Sequence, residues 1–183
     1  MSKIIDNVYK NGLIRNYFEI IQSYNSFKAY NDLANFISKK SVYPNEFLAQ
    51  CSFALFDSCI SHLIKVIVFN SKSYTFQNIL KYNKQKALNL MSQNSITIDF
   101  YKEMQTKFKD LRAKYFFHID KLYLDNPDKI WQEIKVSGND IKKLISGIYN
   151  VINSLYLEEI DRYPRYIEYS DKSVLDFLEK NNY

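Results

Sequence analysis

Three glycines and three prolines in 183 residues leave too few turn positions for a fold built from many short strands. Sandwiches, barrels and propellers need such residues at most reversals of the chain. The glycines, Gly12, Gly138 and Gly147, also lie too far apart to form a G-x-G-x-x-G or Walker-type phosphate loop. The length suits one ordinary domain, and 46% apolar residues supply a core that argues against disorder. One helical domain over residues 1–183 is therefore expected.

The apolar pattern is helical nearly throughout. Leu48, Cys51, Leu55, Cys59, His62, Val66 and Phe69 step by threes and fours, which stacks them on one helix face. Phe47, Ala54, Ile60, Ile64 and Ile67 add apolar surface on other sides, so this helix is expected at the centre of a bundle. Pro44-Asn45 supplies its start signal, with Asn45 as candidate N-cap. A second long helix is expected from about Thr97 to Asp120, with Tyr101, Met104, Phe108, Leu111, Tyr115, His118 and Leu122 as its stripe and Asp125-Asn126-Pro127 as its stop. Ser137 and Asp140 form a capping pair for a helix that turns Ile141, Leu144, Ile148, Val151, Ile152 and Leu155 inward. Ser173 and Asp176 repeat the device for a short last helix.

Residues 4–38 read as one long or two consecutive helices, with Ile5, Val8, Tyr17, Ile21, Leu33 and Ile37 inward. Residues 75–92 read as one or two short helices after the Ser71-Lys72-Ser73 turn. The predicted fold is all-α: an antiparallel four-helix bundle with short additional helices.

A net charge of +5 permits a polyanionic partner without requiring one, and most of the basic residues are lysines suited to a solvated surface. Cys51 and Cys59 share one apolar stretch, which suits buried free thiols in a reducing cytoplasm better than a disulfide. The amino terminus lacks the apolar core of a signal peptide, and Asp57, His62 and Lys65 interrupt the most hydrophobic run. A soluble cytoplasmic protein with no membrane partner is the expectation.

Several chemistries drop out on inventory. Cys51, Cys59 and His62 lack zinc-type spacing and read as core residues, and no hydrolase signature is present. No metal or cofactor is expected. Glu158-Glu159 reads as a solvated helix end. One segment stands out: Asp110-Leu111-Arg112-Ala113-Lys114-Tyr115-Phe116-Phe117-His118-Ile119-Asp120. Arg112 and His118 lie six residues apart, about 120° on an ideal helix, and both flank Tyr115. An imidazole that moves protons near neutral pH and a guanidinium that stabilises phosphoryl oxygens suit cleavage of RNA by its own 2′-OH. Spacing alone favours the ordinary reading, a hydrogen-bonded core His118 and an Arg112 that snorkels beside the core or pairs with a carboxylate.

In this context the chain resembles the HEPN superfamily (higher eukaryotes and prokaryotes nucleotide-binding), particularly its bacterial abortive-infection type. Those proteins carry R-x(4–6)-H late in a long helix of an all-α bundle, often within LR-x-K-…-H-x-D. Leu111, Arg112, Lys114, His118, Ile119 and Asp120 stand in those places, and Phe53 to Lys65 resembles the helix packed beside the motif. The likeness covers about residues 45–155.

The resemblance implies a metal-independent endoribonuclease, active as a homodimer whose two motifs meet at the subunit interface, serving as a toxin or phage-defence effector. It makes Arg112 the phosphate-binding group and His118 the acid or base. Asp57 is a candidate helper, read otherwise as a partner for Lys65 or Lys114 or as a solvated edge, and Lys114, Tyr115 and Asp120 are supporting positions. RNA is the implied substrate, with an antitoxin or regulatory protein as a further partner. Ala113 departs from the Asn, Asp or His that many members carry after the Arg. Asp120 replaces the Tyr that some toxins present for adenylylation, so that mode of silencing is not implied.

The alternative reading is a non-catalytic helical module that dimerises or binds a nucleotide or protein partner. Tyr163, Tyr166 and Tyr169 near Arg162 and Arg165 would anchor it, although Arg162-Tyr163-Pro164-Arg165-Tyr166 also reads as an ordinary loop.

Overall fold

A computed structural model describes residues 3–40, 46–69, 73–116 and 128–160, together with Asp176 and Lys180. Within them the chain forms α1 (Lys3–Lys40), α2 (Glu46–Ile67), α3 (Phe76–Tyr82), α4 (Lys84–Gln93), α5 (Ile98–Leu111), α6 (Asp128–Ile134) and α7 (Gly138–Glu159). A π-helical turn, Arg112–Phe116, continues α5. No strand occurs among the described residues. The expected Asn45 cap, the Ser71-Lys72 part of its turn, Asp125-Asn126-Pro127 and Ser173 lie outside the described residues.

The register of α1 follows from three pairs of contacts with α2. Glu19 meets His62, Ser23 meets Cys59 and Ser26 meets Ser58, so the two helices run antiparallel. On another side, Tyr17 stacks on Tyr156 at 4.1 Å and Tyr24 on Tyr149 at 4.3 Å, which fixes α7 antiparallel to α1 as well. Buried Leu13, Tyr17, Ile20 and Ile21 show why: α1 sends apolar side chains toward both neighbours.

This arrangement makes α1 the middle helix and corrects the central position expected for α2. In α2, Cys59, Ile60, Leu63, Ile64, Val66 and Ile67 are buried, whereas Phe47 and Phe53 are exposed. The difference lies in the neighbours, since α5 is bonded to the end of α2 at Ile67 whereas the first half of α2 borders an open groove. By length and composition α2 is apolar enough to cross a membrane, and here seven of its 22 residues are buried in the core. Val8 and Phe69, expected inside, are also exposed.

The short helices close the rest of the core. Phe76 packs edge-on against Tyr101, which joins α3 to α5. Along α4 and α7, Asn83 bonds to Glu159, Lys86 to Glu158, and Asn94 to Asn150, again antiparallel. The Glu158-Glu159 end is thus salt-bridged to Lys86, at 2.5 and 3.5 Å, and is more than a solvated face. Glycine matters at two close approaches. A Cβ on Gly12 would overlap the Tyr74 ring, and one on Gly147 would overlap Ile96.

The predicted cap at residue 137 forms in full. Ser137 Oγ accepts the Asp140 backbone N–H at 3.1 Å, while an Asp140 carboxylate oxygen accepts the Ser137 N–H at 3.0 Å. From that start Ile141, Leu144, Ile148, Val151, Ile152 and Leu155 all point into the core, as their spacing predicted.

Candidate functional site

α5 positions the first motif residue. Thr97 caps it by accepting the Phe100 N–H, and Tyr101, Met104, Phe108 and Leu111 bury its predicted stripe. Its inner side is also tied to the end of α2, because Gln105 donates to the Ile67 carbonyl at 2.7 Å and Tyr101 at 3.4 Å. Along the edge of that buried face run Lys102 and Lys109, both exposed, and Gln105 and Arg112, both half-buried, in steps of three, four and three residues, a row about 15 Å long.

Arg112 is half-buried and stands where α5 passes into the π-turn. Such turns are rare, and many occur at functional sites. Periodicity predicted an unbroken α-helix here, and the backbone instead takes a wider turn over Arg112–Phe116. Lys114, within the turn, pairs with Glu133 of α6 at 3.5 Å. Lys107 adds a second tie to the same region by donating to the Lys135 carbonyl at 2.9 Å. Tyr115 belongs to the turn by its backbone, while its side chain lies outside the described residues. His118 and Asp120 also lie outside them, as do Arg162, Tyr163, Arg165, Tyr166 and Tyr169.

At the start of the lysine row α3, α4 and α5 enclose a groove of about 1120 Å³. Lys81, Lys84 and Lys102 line it together with the amides of Gln77, Asn78 and Gln105, and no carboxylate is among its lining residues. Phe69, 52% exposed, stands at its edge. Cationic and amide donors beside an exposed aromatic ring match the chemistry of a phosphate backbone with unstacked bases. Sequence inspection did not find this groove, because Lys81 and Lys84 belong to helices whose packing against α5 only the fold supplies.

Asp57 occupies different surroundings. It lines a groove with Phe56 and Trp131, and neither Arg112 nor Lys114 lines that groove. Partial burial raises its carboxyl pKa above the ordinary value. The partners expected for it are taken: Lys65 pairs with Glu19 at 3.2 Å, and Lys114 with Glu133. His62, read from sequence as a core residue, is half-buried with its Nδ1 2.7 Å from the same Glu19 carboxylate.

Cys59 is buried beside Ser23, and burial pushes its thiol up to about 12, the reverse of an activated nucleophile. Among the described residues no group of three or more His, Cys, Asp or Glu side chains is placed to hold a metal ion. No family model matches the chain, and no curated protein or solved structure matches it significantly.

Proposed function

We propose that this protein is a metal-independent endoribonuclease of the HEPN type, acting in the cytoplasm as a homodimeric toxin or phage-defence effector. The observation that carries this reading is the row Lys102, Gln105, Lys109 and Arg112 along the edge of α5, which leads from a lysine-lined groove to the arginine of the motif. RNA backbone held along that row would bring a phosphate to Arg112. The R-x(5)-H resemblance then supplies His118 as the proton-transfer group.

In this reaction the ribose 2′-oxygen bonds to the adjacent phosphorus and the bond from phosphorus to the 5′-oxygen breaks. One proton leaves the 2′-OH and one reaches the departing 5′-oxygen, giving a 2′,3′-cyclic phosphate and a 5′-OH. His118 serves as base or acid, and its symmetry mate is available for the complementary step. Arg112 balances the charge that grows on the phosphoryl oxygens. Purified protein in EDTA is expected to cut RNA to cyclic-phosphate ends, with activity lost in Arg112→Ala and His118→Ala. Undiminished cutting by both variants overturns the assignment.

Exposed Phe47 and Phe53 favour a second reading, a helical module that dimerises or docks an antitoxin or other regulatory partner. An inert wild-type protein whose self-association or partner binding survives both substitutions would select it.

A further inference from the structure

The second half of α1, the first half of α2, α6 and the start of α7 surround an open groove of about 1110 Å³. Its wall is aromatic. Tyr30 and Phe56 meet at 5.4 Å, Phe56 and Trp131 at 5.3 Å, and Phe53 of the same wall is 65% exposed. Asp57, one residue beyond Phe56 on α2, adds an exposed carboxylate. No basic side chain pairs with Asp57 among the described residues, because Lys65 is committed to Glu19.

Aromatic faces carry negative potential, and a carboxylate beside them adds a full charge, so this wall attracts cations. The ring faces select among them, although Asn31, Ser52 and Asn139 also line the groove. A hydrated metal ion gains nothing by shedding water against a ring, whereas a substituted ammonium already has a carbon surface to bury there. Lys142 and the first residues of α7 also border the groove and oppose any cation, a dication most, so binding there depends on Asp57 and the rings. We infer that the groove binds a small organic monocation, a substituted ammonium held against Asp57 with its carbon body on the Tyr30, Phe56 and Trp131 rings. The site shares no residue with the lysine row or the R-x(5)-H motif, so it stands whether or not the chain cleaves RNA.

Trp131 is the chain's one tryptophan, which gives a specific optical readout. Choline, titrated into the full-length protein at constant ionic strength, is expected to change Trp131 fluorescence saturably in the millimolar range. Its neutral isostere, 3,3-dimethylbutan-1-ol, is expected to bind about tenfold more weakly, and Asp57→Asn to weaken choline by a similar factor. Because Asp57 is exposed, that variant should keep the wild-type melting temperature. If it does not fold, Tyr30→Leu, which removes one ring and keeps Trp131, should weaken choline several-fold. Lys142→Ala should leave binding unchanged or tighten it. No saturable response to choline, equal binding of the isostere, unchanged affinity in a folded Asp57→Asn or Tyr30→Leu protein, or loss of binding in Lys142→Ala overturns the inference.

Discussion

Glu19 of α1 places one carboxylate oxygen 2.7 Å from His62 Nδ1 and 3.2 Å from Lys65 Nζ, two residues of α2. The two partners sit about one turn apart on α2, so a single carboxylate pins the register of the two helices. Half-burial lowers solvent screening without removing it, which puts the pair between a surface and a core interaction. Glu19→Gln is expected to lower unfolding free energy by about 1 kcal/mol, read from urea denaturation. His62→Ala in the Glu19→Gln background should then add less than it does alone, because the shared interaction is already gone.

The Ser137–Asp140 box predicts a pH-dependent increment of stability. Hydrogen bonds from the Ser137 side chain and backbone hold the Asp140 carboxyl below the ordinary aspartate range. A carboxylate depressed in the folded state stabilises above its unfolded pKa, and that contribution fades as pH falls through the folded value. Asp140→Asn should cost about 1 kcal/mol at neutral pH. The gap between variant and wild type should narrow below pH 3.8, as followed by thermal melts across an acid series.

Gly12→Ala tests packing against propensity. Alanine is the better helix former, yet its Cβ would enter the Tyr74 ring. Overpacking of this kind costs about 1–3 kcal/mol, so the variant should melt lower despite its higher intrinsic helicity. Gly138→Ala, where nothing lies within 4 Å of the added carbon, serves as the control and should change stability far less.

The lysine-lined groove makes a prediction about salt. Replacing Lys81, Lys84 and Lys102 together by Ala should weaken RNA binding over all sequences, because phosphate contacts carry no base information. The slope of log affinity against log salt should shrink in magnitude by up to about 2, since each contact to single-stranded nucleic acid contributes about 0.7. Fluorescence anisotropy with a 2′-O-methyl oligonucleotide measures this without cleavage. Unchanged affinity and slope would remove the groove from the RNA-binding surface.

Helix identity was legible in the residues because it depends on local spacing. The steps of three and four at Tyr101, Met104, Phe108 and Leu111 predicted a buried stripe, and those side chains are buried. The same local logic located the Ser137–Asp140 cap, since its partners are three residues apart. Arg112 was singled out by its motif, although no local signal announced the π-turn that now carries it.

What spacing does not encode is which face meets which neighbour. Phe53 and Cys59 belong to one apolar run, yet one is exposed and the other buried, because only the second half of α2 is covered on several sides. Glu19, His62 and Lys65, or Lys81, Lys84 and Lys102, are joined across helices distant in sequence. The chain alone determined an all-α fold, the helix starts at Thr97 and Ser137 and the apolar stripes of α5 and α7, through backbone periodicity and capping within a few residues. Tertiary packing decided the middle helix, the ion pairs and the two grooves, because those depend on side chains that meet only once the helices choose their partners.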